Sequence, residues 1–270
     1  MRARLLVGFI GIPVLVGAIW AGFPFFTVLI GVSALCGLRE FYKLATTIGV
    51  RVFAPLGILW TVLFIANGQL TAQEGNFTLF LIGGVLLTTF AWVSIHSKFS
   101  HGNIWLNWLF TAAGPLYVGL LLSHALMLRE GGNGLYNGRD WLIYATFVTF
   151  ATDSGALFFG TAIGRHRLVP TISPGKTWEG AIAGLICAIG ASVLLVTVLN
   201  LQVSIWHQML FGLTLGVAAQ IGDLSESSLK RFAGVKDTSS LIPGHGGILD
   251  RIDSLVVTIP VTYYILAIII

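Results

Sequence analysis

The residues best suited to chemistry lie between Asp223 and Asp253. Five acids (Asp223, Glu226, Asp237, Asp250, Asp253) and four bases (Lys230, Arg231, Lys236, Arg251) surround His245 and a run of glycines. Carboxylates mixed with fixed cations suit phosphoryl and nucleotidyl transfer. One or two carboxylates hold Mg2+, which neutralises phosphate oxygens. Lys and Arg hold the remaining oxygens and the charge that develops on them. Glycines let backbone N–H groups come close to a phosphate. If the apolar stretch before Asp223 continues as a helix, Asp223, Ser227 and Lys230 share a face, and Asp250 and Asp253 align at i, i+3 where the next helix begins. The Gly- and Pro-containing connection over 234–247 can fold back between them, so that two helix ends present carboxylates to each other. The plainer alternative is a solvated loop whose charges pair and fix topology.

A second cluster spans 164–180, with Arg165, Arg167 and Lys176 near Ser173 and Thr177. The run from Ser173 to Thr177 lacks the G-x-x-x-x-G-K-S/T spacing and a preceding strand, so it is not read as a phosphate-binding P-loop. A basic loop at a membrane surface holds anionic headgroups, which suits both a topological role and an anionic lipid substrate. The third feature is Asp153, inside an apolar stretch. An ionisable group at that depth is costly and points to function: it either binds a cation or lines a polar cavity shared with the two loops. The alternative is a hydrogen bond to a neighbouring helix. His124 is read as a packing residue.

These groups sit in a very apolar chain. Of its 270 residues 56% are hydrophobic and 10% charged, and mean hydropathy is +0.88. A soluble domain carries about 25% charged residues, so this chain is read as an all-α integral membrane protein. Cys36 and Cys187 lie in apolar runs, which excludes a disulfide framework and suits packing. A bilayer-crossing helix needs about 20 apolar residues. Nine candidate spans follow: roughly 5–21, 23–38, 52–70, 77–95, 104–127, 141–163, 178–199, 204–222 and 254–270. With nine spans, all of the 15 Lys and Arg residues except Arg129 and Arg139 fall on the side of the N-terminus. The positive-inside rule places that side in the cytoplasm. The chain is expected to be one polytopic membrane domain over 1–270, with N-terminal helices in 1–140 and the catalytic helices and cytoplasmic loops in 141–270. Glycines 155, 160 and 164 and the Gly180/Gly184 pair would let helices approach closely.

One stretch carries a specific resemblance. Ser227-Ser228-Leu229-Lys230-Arg231, then Lys236-Asp237, then Pro243-Gly244-His245-Gly246-Gly247-Ile248-Leu249-Asp250-Arg251-Ile252-Asp253, resembles the signature of the phosphatidate cytidylyltransferases, or CDP-diacylglycerol synthases. Gly222-Asp223-Leu224, Glu226-Ser227, the run from Ser173 to Gly180 and Asp153-Ser154-Gly155-Ala156 are also similar to that family's patterns. The detailed likeness covers 153–253; Leu157 departs from it, standing where an aromatic residue is expected. The resemblance implies that CTP and phosphatidic acid give CDP-diacylglycerol and pyrophosphate with a divalent cation, at a bacterial inner membrane, on the cytoplasmic side. Asp223 and Asp250 are the implied Mg2+ ligands, with room for a second cation, and Asp253 and Asp237 complete or orient that shell. Lys230, Arg231, Lys236 and Arg251 would hold triphosphate and pyrophosphate oxygens. Ser173, Lys176 and Thr177 would hold phosphatidate or triphosphate, with Asp153 beside them. A phosphate monoester is already largely ionised near neutral pH, so His245 is a positioning donor rather than a base. Partners are the two substrates and the lipid bilayer, not nucleic acid; a homodimer is left open.

Competing readings make different demands. A CDP-alcohol phosphotransferase expects D-G-x-x-A-R followed by two spaced aspartates, a run absent here. A polyprenyl-phosphate sugar transferase or a CTP-dependent lipid kinase would give other products; the kinase would release CDP. An ion-coupled transporter would use Asp153 and a helix broken near Gly114-Pro115, but transporters usually show paired repeats around a midplane site. Here the charges gather at one surface and no matching halves are evident.

Overall fold

The computed structural model describes residues 2–70, 78–96, 103–131, 136–239, 241 and 246–269. Helices dominate. Six are long and apolar enough to cross a bilayer, by length and composition, among the described residues. Apolar side chains such as Ile182, Ile186 and Leu194 stay exposed on their surfaces, as they must where the surroundings are lipid rather than water. The chain is an integral membrane protein built in two units, Met1–Gly131 with Phe232–Arg251, and Gly132–Arg231 with Ile252–Ile270.

In the first unit, helices α1 (Arg2–Ala21), α2 (Phe25–Thr47), α3 (Ala54–Leu70) and α4 (Thr78–His96) precede α5 (Ile104–Gly114). A π-helical turn (Pro115–Leu120) leads directly into α6 (Leu121–Glu130). Proline explains that turn. Pro115 has no N–H to give the Thr111 carbonyl four residues earlier, so the regular ladder cannot run through it. Tyr42 donates its hydroxyl to that carbonyl at 2.7 Å. Arg129, one of the two cations apart from the rest, donates Nε–H to the Ile19 carbonyl near the end of α1 at 2.8 Å and pairs with Glu130. It thereby satisfies a carbonyl that the helix end leaves without an intrahelical donor.

The second unit holds α7 (Gly138–Ile163), a short antiparallel hairpin of β1 (Arg167–Val169) and β2 (Ser173–Thr177), α8 (Trp178–Val198) and α9 (Ile205–Phe232, whose last residue falls in the first unit). Helix α10 (Leu249–Ile269) gives its first three residues to the first unit and the remainder to the second. The glycines act as the sequence suggests. A Cβ on Gly180 would stand 2.7 Å from the Ala156 carbonyl oxygen, and one on Gly184 3.0 Å from that of Thr152. Helices α7 and α8 therefore touch backbone to backbone. Hydroxyls add specific links: Thr149 to Thr258 at 2.9 Å joins α7 to α10, and Tyr144 to Ser192 at 2.6 Å joins α7 to α8. Such interhelical bonds contribute about 0.6 kcal/mol each in membrane proteins.

Two sequence expectations change. The basic stretch after α7 was expected to be a loop, and much of it is the hairpin; Pro174 is tolerated because a two-stranded ribbon is all edge. The charged stretch 223–253 was expected to be a loop between spans, but α9 runs on to Phe232 and α10 begins at Leu249. Much of the charge is therefore helical. Continuing the α9 ladder satisfies the backbone N–H groups of 223–232 internally.

Replacing Gly184 with Val should force α7 and α8 apart at the cost of an overpacked contact, about 1–3 kcal/mol. A lower thermal unfolding midpoint in detergent is expected; an unchanged midpoint would show that the close approach contributes no stability.

Candidate active site

Within the second unit, α7, β2, α8 and α9 enclose a cavity of about 350 Å3. Asp153 and Gly160 line it from α7, Ser173, Lys176 and Thr177 from β2, and Gln220 and Asp223 from α9. Its size falls within the usual range for a small-molecule site. Lys176 reaches across it: Nζ lies 2.7 Å from Asp223 Oδ2, while Ser227 Oγ donates to Asp223 Oδ1 at 3.4 Å. Asp223 and Ser227 thus share one face of α9, as their spacing requires. Thr177 has a more local task. It caps α8, its Oγ1 accepting the Gly180 N–H at 3.1 Å, as N-cap threonines do. Glu179 fixes the entry to the hairpin by accepting both the backbone and ring N–H of His166. Gln220 donates to the Ala181 carbonyl at 2.9 Å, tying α9 to α8 at the cavity wall.

Asp253 belongs to the same unit. It lies within electrostatic reach of Asp223, Asp153 and Lys230. Its Oδ1 accepts the Ser254 N–H at 2.7 Å, and Ser254 Oγ donates to Asp153 Oδ1 at 3.4 Å. Asp253 of α10 therefore lies near carboxylates of α7 and α9 and two ammonium groups, Lys230 and the Lys176 paired with Asp223. The convergence depends on Gly222, where a Cβ would lie 2.5 Å from the Asp253 carbonyl and 3.1 Å from Ser254 Cα. Only a hydrogen there lets α9 and α10 meet next to their acids. Lys230 is itself held by the fully buried Glu226 one turn earlier, at 2.5 Å. Arg231 donates Nε–H to the Ile172 carbonyl at 3.0 Å and so braces the hairpin turn.

The remaining expected residues belong to the first unit. Lys236, Asp237 and Arg251 are exposed. Asp250 is buried, and its Oδ2 accepts the Thr238 N–H at 3.0 Å, the Thr238 hydroxyl at 2.8 Å and the Gly247 N–H at 2.8 Å. His245 lies outside the described residues. Sequence reasoning missed Glu40 of α2, which bonds to the segment carrying Asp250. In the sequence Glu40 sits between Arg39 and Lys43 and reads as one more charge at the end of a span; no spacing rule connects it to residues nearly 200 positions away.

The profile of the cytidylyltransferase family matches residues 2–269. The chain belongs to this family. A phosphatidate cytidylyltransferase of Bacillus subtilis is 31% identical over 271 residues, covering 99% of this chain and 98% of that protein. One of Haemophilus influenzae is 33% identical over 291 residues, covering 98% of each. One of Staphylococcus haemolyticus is 31% identical over 265 residues, covering 96% of each. In this member of the family the cavity carries carboxylates, the Lys176 ammonium and a wall of small residues.

Gly222→Val should wedge α9 from α10 and separate Asp223 from Asp253. Displacing a catalytic group by about 1 Å costs on the order of 100-fold. A loss of CTP-dependent pyrophosphate release of that size is expected in protein that still inserts and elutes as a single species. Wild-type turnover would show that the helix contact does not position the acids.

Proposed function

We propose that this protein transfers the cytidylyl group of CTP to phosphatidic acid, giving CDP-diacylglycerol and pyrophosphate. The observation that carries the reading is the Lys176–Asp223 pair on the charged cavity, in a family member matched along nearly its whole length by phosphatidate cytidylyltransferases. A phosphatidate oxygen forms the new bond to the α-phosphorus of CTP, the bond from that phosphorus to the bridging oxygen breaks, and pyrophosphate leaves in line. A phosphate entering the cavity competes with Asp223 for the Lys176 ammonium. Lys230, kept in place by Glu226, lies on the same acidic cluster and screens oxygens of the leaving group; Arg231, Lys236 and Arg251 supply further positive charge. Ser173 and Thr177 border the cavity where the phosphate enters, with Asp153 beside them.

Asp223 and Asp250 are the proposed Mg2+ ligands, with Asp253 and Asp237 supporting them. Among the described residues no three His, Cys, Asp or Glu side chains form a ready metal cage. Mg2+ typically takes only one or two protein carboxylates and keeps waters and substrate phosphates as its other ligands. The carboxylates of Asp223 and Asp153 near Asp253 also favour a cation there. When bound, Mg2+ neutralises the phosphate oxygens; a second cation has the same acids to draw on.

The topology proposed is nine crossings with the N-terminus in the cytoplasm, α5 and α6 continuing each other through the π-helical turn. All Lys and Arg residues except Arg129 and Arg139 then face the cytoplasm, and the reaction takes place at the cytoplasmic face of a bacterial inner membrane.

Purified protein given labelled CTP, phosphatidic acid and Mg2+ should yield CDP-diacylglycerol and pyrophosphate in equal amounts. Release of CDP with a phosphorylated lipid would replace this reading with a kinase, and uptake without covalent change would replace it with a transporter. Asp250→Asn should insert normally and lose most turnover; substantial residual activity would remove Asp250 from the metal. Lys176→Ala should weaken the use of phosphatidate or CTP without loss of folding, and unchanged kinetics would leave the hairpin a topological element.

A further inference from the structure

We infer that Glu40 is a positioning residue for the transfer reaction, holding in place the segment that carries Asp250; this rests on the reading that Asp250 takes part in the reaction. Glu40 lies on α2 and is 5% exposed, yet four donors of one distant segment converge on it. Its Oε1 accepts the Ser239 hydroxyl at 2.6 Å and the Ile248 N–H at 3.1 Å. Its Oε2 accepts the Thr238 hydroxyl at 3.0 Å and the Leu249 N–H at 2.8 Å. Both ends of the stretch 238–249 are therefore tied to one carboxylate. Two of the four donors belong to the start of α10, where exposed N–H groups and the helix dipole favour negative charge.

Thr238 extends this hold to the reaction. Its hydroxyl lies 3.0 Å from Glu40 Oε2 and 2.8 Å from Asp250 Oδ2, while its N–H also goes to Asp250 Oδ2. One hydroxyl hydrogen shared by two carboxylates fixes the distance between them. Gly247 sits against the same group: a Cβ there would run into Thr238 Oγ1 and the Glu40 carboxylate. Its N–H instead goes to Asp250. Glu40, Thr238 and Gly247 together set the direction of the Asp250 side chain. The Glu40 carboxylate accepts four donors of the segment 238–249, and its side chain also borders a cavity with Arg39, Lys43 and Ser239.

The charge of Glu40, not merely its size, is required. A Gln side chain fills the same space but presents N–H to one of the two donor pairs. The hydroxyl of that pair can turn to accept from the amide, but the backbone N–H of Ile248 or Leu249 then faces a donor and loses its bond.

The test uses the full-length protein in detergent, with turnover and tryptic cleavage after Lys236 as separate readouts. Glu40→Gln should lower kcat on the order of 10- to 100-fold, leave KM for phosphatidate unchanged, and speed cleavage after the exposed Lys236. Glu40→Asp, which keeps the charge, should recover part of the lost kcat. Wild-type kcat and cleavage in Glu40→Gln would overturn the inference, as would a loss of activity matched only by a loss of folded protein. If Glu40→Gln does not fold, Thr238→Val removes the shared hydroxyl and keeps the shape; it should lower kcat, and an unchanged kcat would overturn the inference. Failure of the wild-type chain to make CDP-lipid would instead reject the proposed reaction, and the cleavage rates would still report whether Glu40 holds the segment.

Discussion

A carboxylate removed from water must be given donors or a cation, and this requirement shapes the polar interior of the protein. An unpaired buried charge costs several kcal/mol, and each buried or half-buried acid of these clusters has its own solution. Glu40 collects four hydrogen bonds. Glu226 is paired with Lys230, and Asp223 with Lys176. Asp250 takes its donors from Thr238 and Gly247. Asp253 differs, because its electrostatic neighbours include two other acids as well as Lys230. Like charges therefore meet at Asp253, whereas the other acids have donors or a cationic partner.

Close backbone approach makes those pairings possible. Gly180 and Gly184 let α8 press onto α7, and Gly222 lets α9 press onto α10 beside Asp223 and Asp253. In lipid there is little hydrophobic drive to bring helices together, so small residues and interhelical hydrogen bonds do it. The glycines that set the packing of the second unit therefore also set the spacing of its acids.

Helix positions were largely legible because a span announces itself by length and apolarity, and those signals are local. The face shared by Asp223 and Ser227 was legible from helical periodicity, and the cavity around Asp153 from the cost of an acid in an apolar stretch. The hairpin at 167–177 was not. Its strands are short and carry Pro174 and Gly175, which argue against a strand when read alone, and its ladder exists only because each strand supplies the other's partners. Nor was Glu40 legible, since its importance comes from donors on residues 238–249.

By itself, the sequence determined that the chain enters a membrane, where its charges concentrate, and which family its signature resembles, because composition, periodicity and motif spacing are properties of neighbouring residues. Only the tertiary structure decided which charges are partners. It tied Lys176 to Asp223 and Glu40 to the start of α10. A charge–charge contact or hydrogen bond depends on distances of about 3 Å, and between residues far apart in the chain those distances exist only after helices have packed.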